Sequence, residues 1–365
     1  MAATVALARE RSPIARRPPA ILSAVITTCR RRTWSAIALG VAVSLVATAC
    51  GEDEGGDSVV QSCAARLAPV PVDEPLAVVT TVAPLTDLAR SIADDTRASV
   101  VGVVPEGVDS HTFAPGPSAA VQLERADLVL LNGLGLEAPT KELALANLRG
   151  GAVLCELGDE VLPESEYVFD VAFPAEGGVP NPHLWTNPPM ALEYAEIVHD
   201  LLASAMPDET EQLAVNLADF TARVDALDSA IRSATQTIPP EQRRLVTYHD
   251  AYAYFARDYG FGVIGAVQPS SFDEPTPQEV ARLIGQIEAA GVTAIFGSEV
   301  FPSPVLEQIA AETGATYVDA LRDDDLPGDP GDAGHSWFGM MRFNLTTIVE
   351  ALGGDATALQ ALDPG

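Results

Sequence analysis

The sequence predicts an α/β protein of two lobes, each a four-stranded parallel sheet flanked by helices, with one long helix joining them. Three observations carry this. In the first half, four apolar, β-branched runs alternate with helical stretches, the rhythm of parallel strands covered on both faces. The second half repeats that rhythm, though no residue-level repeat accompanies it. Between the halves, residues 207–240 hold an apolar stripe at helical spacing. A chain of 365 residues with 47% hydrophobic content can bury two sizeable cores, which excludes global disorder.

In chain order, residues 1–49 read as a signal peptide. Arg30, Arg31 and Arg32 precede an apolar run over 34–49 that ends in small residues. At about 16 residues the run is shorter than the ~20 that span a bilayer comfortably; a true anchor helix is the alternative. Val46-Ala47-Thr48-Ala49-Cys50 is similar to a bacterial lipobox, which makes Cys50 a candidate lipidation site and mature N-terminus. Residues 50–74 then open with an acidic, Gly-rich tract and read as a flexible acidic tether. The charge reverses at this junction. Seven arginines and one acid lie before residue 50, whereas the whole chain carries 51 acids, 21 bases and a formal charge of −30. Such a surface is unsuited to nucleic acid, whose phosphates need clustered Lys and Arg.

Residues 75–206 form the expected N-terminal lobe, with strands over 76–81, 99–104, 128–132 and 152–156 and helices over 84–93, 118–125 and 189–206. Residues 207–240 form the bridging helix. Leu213, Leu217, Phe220, Val224, Leu227 and Ile231 share one stripe, Asp208, Glu209 and Glu211 suit its N-terminal dipole, and Pro239-Pro240 stops it. Some 29 helical residues reach about 43 Å, the height of both lobes. Residues 241–365 form the C-terminal lobe, with strands over 244–248, 263–267, 294–297 and 316–318 and helices over 276–290 and 304–313.

Of four cysteines, Cys29 would leave with the signal and Cys50 would carry lipid. Cys63 and Cys155 remain. Export exposes them to oxidising conditions, so they are a candidate disulfide; two unpaired thiols are the alternative.

Five histidines occur, and three are informatively placed. His111 and His183 lie in loops of the first half, and His249 directly follows a strand of the second. Open parallel sheets bind ligands beyond the carboxyl ends of their strands. Asp319 ends the run 316–318 and could add a carboxylate. Three neutral imidazoles and one carboxylate suit tetrahedral Zn²⁺. The gaps of 72, 66 and 70 residues form no local motif, so ordinary loop histidines stay an open reading.

Longer stretches add to this. Val104-Pro105-Glu106-Gly107-Val108-Asp109-Ser110-His111-Thr112-Phe113-Ala114-Pro115, Asn132-Gly133-Leu134-Gly135-Leu136-Glu137, Asn181-Pro182-His183-Leu184-Trp185, Thr247-Tyr248-His249-Asp250-Ala251-Tyr252 and Met340-Met341-Arg342-Phe343-Asn344 occur in order over nearly the whole mature chain. In them the chain resembles the cluster A-I solute-binding proteins of bacterial zinc and manganese ABC importers. The resemblance implies two α/β lobes bridged by a rigid helix, with metal between them. It implies ligands at His111 and His183 from one lobe and His249 and Asp319 from the other. Separately, Glu299 in Gly297-Ser298-Glu299-Val300 is a candidate to orient a ligand histidine from behind, or a base in a hydrolase, with a plain helix-start carboxylate as the alternative. It also implies an ABC permease as partner, a monomer anchored by its N-terminal lipid, and a place on the outer face of the cytoplasmic membrane. Three features depart from the family pattern: no His-rich loop over 161–180, Asn181 in place of the usual Asp, and an acidic insert over 322–334 followed by His335. The insert reads as a solvated loop, His335 as a surface residue, and His199 as structural or exposed. Manganese-selective relatives typically place a carboxylate where His249 stands, and imidazole suits Zn²⁺ better. The expected cargo is therefore zinc, with manganese the alternative and no catalytic turnover. An exported zinc hydrolase and a metal-independent adhesin or solute receptor are the rival classes.

Overall fold

The computed structural model describes residues 60–64, 67–268, 271–298 and 303–363. The signal segment, Cys50 and Glu299 lie outside the described residues. In the first lobe the elements run β1 (Val60–Gln61), β2 (Leu76–Thr80), α1 (Ala83–Ala93), β3 (Ala98–Gly102), α2 (Pro117–Arg125), β4 (Leu128–Leu131), α3 (Ala138–Asn147), β5 (Val153–Glu156) and α4 (Leu157–Val161). Two long helices follow, α5 (Pro188–Ala205) and α6 (Thr210–Thr237). The second lobe comprises β6 (Arg244–Thr247), α7 (Ala253–Tyr259), β7 (Gly262–Ala266), α8 (Pro277–Ala290), β8 (Ala294–Ser298), α9 (Pro304–Thr313), β9 (Thr316–Leu321), α10 (Trp337–Ala351) and α11 (Thr357–Gln360).

All strand pairs are parallel. The sheets are ordered β1-β5-β4-β2-β3 and β7-β6-β8-β9. The first therefore has the four expected strands plus a two-residue edge strand, β1, which a disulfide between Cys63 and Cys155 staples to β5. β4 and β8 lie inside their sheets and are buried along their whole length, which is why their sequences are unbroken apolar runs.

Helix α6 buries Leu213, Phe220, Val224, Leu227 and Ile231 along the expected stripe, and Leu217 is partly buried. It packs on α1 and α5 of the first lobe and on α7, α10 and α11 of the second. Its acidic entry is held by Arg97, which ion-pairs with Asp208 at 2.8 Å and Glu209 at 3.0 Å. One apolar core consequently runs through both lobes, from Leu67 to Leu359. Among the described residues, no helix is long and apolar enough to cross a membrane.

Candidate metal centre

The carboxyl ends of the strands face the cleft between the lobes. The turn after β3 carries His111, the turn after β6 carries His249, and Gln268 follows β7. His183 comes instead from the long connection into α5. That connection is bonded to the second lobe throughout. Asn181 Nδ2 donates to the Asp250 carbonyl (2.7 Å), Thr186 Oγ1 to the Ala251 carbonyl (2.7 Å), and Trp185 Nε1 to the Asp323 carbonyl (2.8 Å).

The three imidazoles meet. Their Nε2 atoms are separated by 2.7 Å (His183 to His249), 3.1 Å (His111 to His183) and 3.3 Å (His111 to His249). Among the described residues, they are the one group of three or more His, Cys, Asp or Glu side chains whose ligand atoms all lie within 4.8 Å. His183 and His249 are buried, and His111 is half-buried beneath Phe272, which stacks on it at 4.5 Å and 18°.

Their tautomers follow from the partners behind them. Asn181 spends its amide nitrogen on Asp170 and the Asp250 carbonyl, so its oxygen faces His183 and accepts from Nδ1 at 2.8 Å. His249 Nδ1 lies 2.7 Å from Gln268 Oε1. With the proton on Nδ1, the Nε2 atoms of His183 and His249 turn their lone pairs inward. Lone pairs this close repel one another unless a cation lies between them. Four ligands around tetrahedral zinc, at ~2.0–2.1 Å each, sit about 3.3 Å apart, close to the spacing found.

The surroundings are acidic. Burial opposes charging His249, yet Asp323, Asp324 and Asp109 outweigh it and hold its pKa above the ordinary value. His111 and His183 are held well below theirs, chiefly by burial and then by the charge of His249. Burial pushes Asp324 up to about 6. Ser110 donates to Asp324 Oδ2 from its backbone nitrogen (3.1 Å) and its hydroxyl (2.7 Å), whereas Asp324 Oδ1 is buried without a hydrogen-bond partner.

Two expectations need correction. Asp319 is not at the centre. Strand β9 continues to Leu321, so Asp319 lies within it, exposed, with the Tyr317 hydroxyl donating to it beside Gly297. The strand's carboxyl end is the run Arg322-Asp323-Asp324, and the first half of the acidic insert is packed rather than solvated: Asp323, Asp324 and Leu326 are all buried. The signal for this was three consecutive acids placed directly after a strand. Gln268 and Phe272 carried no sequence signal. His199 lies on α5, with Nδ1 3.0 Å from Asp200.

Fold and site together define a two-lobed protein that brings three imidazoles into one cluster between its lobes. Residues 78–351 match the family described as zinc-uptake complex component A, periplasmic, and the chain belongs to that family, the extracytoplasmic metal-binding components of ABC import systems. It is 29% identical over 276 residues to the iron-binding protein YfeA of Yersinia pestis, covering 76% of this chain and 86% of that one. It is 26% identical over 310 residues to the manganese-binding lipoprotein MntA of Halalkalibacterium halodurans, covering 85% and 95%. The solved structure of the periplasmic zinc-binding protein TroA from Treponema pallidum superposes with a TM-score of 0.68 at 29% identity, covering 76% of this chain and 99% of that one.

Proposed function

We propose that this protein captures zinc between its lobes and delivers it to an ABC permease, working as a lipoprotein at the outer face of the cytoplasmic membrane. The observation that carries the reading is the convergence of three Nε2 atoms within 3.3 Å, two of them backed by amide oxygens that fix the tautomer. His111, His183 and His249 supply three ligands. Asp324 supplies the fourth: its buried Oδ1 is satisfied by no protein group, and since it lies outside the 4.8 Å cluster of the imidazoles, its loop closes onto the cation on binding. Four protein ligands leave no open position for a reacting water, which favours carriage over hydrolysis. Imidazole-rich coordination favours zinc over manganese. The buried carboxylates Asp323 and Asp324 beside the histidines favour manganese as the second reading, since hard oxygen donors suit it.

Competition against a chromophoric chelator, run with zinc and with manganese, tests both readings. Zinc is expected to bind more tightly. Single changes of His111, His183 or His249 to Ala should each lower zinc affinity by more than the ~10–100-fold typical of losing a supporting residue. Unchanged affinity would remove that residue from the ligand set, and tighter manganese binding would replace the cargo.

A further inference from the structure

Two loops meet outside the imidazoles, and they are joined twice. Residues 103–116 carry His111, and residues 322–336 carry Asp323 and Asp324. The inner joint is Ser110 to Asp324, beside the centre. The outer joint is an ion pair, His335 Nε2 to Glu106 Oε1 at 3.3 Å, with the imidazole 11% exposed and the carboxylate 39%. His335 sits on a firm base. It immediately precedes Ser336, whose hydroxyl caps α10, and the next residue, Trp337, donates its backbone N–H to Asp87 at 2.7 Å.

The two ring nitrogens of His335 both face acceptors: Nδ1 the Pro327 carbonyl at 3.2 Å, and Nε2 the Glu106 carboxylate. A carbonyl and a carboxylate cannot donate, so only the imidazolium makes both bonds at once. A second carboxylate, Asp87 of α1, also interacts with this charge and is itself offset by Arg90 and Arg223. We infer that His335 is a positioning residue for metal retention: as an imidazolium it clasps Glu106, pins the His111 loop to the Asp324 loop, and slows cargo release. The inference rests on the metal-carrying role proposed above. Release must part these two loops, because each holds part of the coordination shell. The clasp exists only while both ring nitrogens carry protons, so it weakens as the ring gives one up.

The test is zinc transfer from the purified, zinc-loaded protein to excess chelator, followed by stopped flow from pH 6 to pH 8. Wild type is compared with His335→Gln, Glu106→Gln and the double variant. Dividing each variant's rate by the wild-type rate at the same pH cancels protonation of the ligands, which is common to all. Each single variant is expected to release zinc about two- to fivefold faster at the acid end of the series, the range of a partly exposed ion pair, with the ratio falling toward one as pH rises. The double variant should be no faster than either single. A ratio of one throughout, a pH-independent ratio confined to His335→Gln, or additive effects would overturn the clasp. A wild type that takes up no zinc would overturn the metal reading itself, and the clasp with it.

Discussion

Asp319 and Asp324 stand five residues apart and have opposite environments. The first is exposed on β9 and takes a hydrogen bond from Tyr317; the second is buried, with one oxygen on Ser110 and the other unsatisfied. A buried acceptor without a partner costs on the order of 1–3 kcal/mol, and an arriving cation removes that cost. Asp324→Ala should therefore weaken zinc binding at least as much as a lost supporting residue, about 10–100-fold, while Asp319→Ala leaves it unchanged. Isothermal titration of the two variants side by side checks this, and the reverse ranking would restore Asp319. The histidines were legible in the sequence because each sits in a loop between well-marked elements and five His in all leave few combinations. The carboxylate was not, because its identity turned on where β9 ends. A strand reaching Leu321 instead of 318 moves the turn at its carboxyl end, with Asp323 and Asp324, past Asp319. Phe272 was invisible for another reason: its φ of 57° and its stack on His111 are set by a turn with no local motif.

At the scale of elements, the β4–α3 turn supports the His183 loop from outside the imidazole cluster. Glu137 is buried at 4% exposure, and its carboxyl accepts from the Thr81 hydroxyl (2.6 Å) and from the backbone N–H groups of Asn132 (2.8 Å) and Gly133 (3.2 Å). The Asn132 side chain then donates to the Pro182 carbonyl, one residue before His183. Burial outweighs these donors and pushes the Glu137 pKa from 4.5 up to about 7. Below the unfolded value both states hold the proton. Between about 4.5 and 7 only the unfolded state releases it, so stability falls as pH rises through that window and levels above it. The full effect is on the order of 3 kcal/mol. Glu137→Gln should flatten the difference in unfolding free energy across that window. Denaturant titrations of metal-free wild type and variant from pH 4.5 to 7.5 would show it, and parallel curves would mean that Glu137 ionises normally in the folded state. The expected strands were legible because buried parallel strands are unbroken apolar runs. Helices α3, α7 and α10 carry no such signature in the sequence. Ala138–Asn147 is weakly amphipathic, Ala253–Tyr259 spans only seven residues, and Trp337–Ala351 is buried on several sides.

Across the whole molecule, the core shared by both lobes decides how far the cleft can open. Helix α6, 28 residues and about 42 Å long, packs against both lobes, so a wide hinge would have to split a continuous apolar interior. The His183 connection resists in the same way, since Asn181, Trp185 and Thr186 are already bonded to the second lobe. Motion should be confined to the His111 and Asp324 loops and to small lobe shifts. Two measurements separate this from a hinged trap. Zinc at a hundredfold excess over its dissociation constant adds about 2.7 kcal/mol, which for some 300 folded residues raises Tm by roughly 4 °C. The radius of gyration, about 19 Å for some 300 residues, should change by no more than about 5% in the same titration. A Tm gain of that size with a nearly constant radius is what loop closure on a fixed frame produces. A marked compaction on zinc addition would mean that the lobes rotate as bodies, and α6 would then have to bend or repack one end of its stripe to let them.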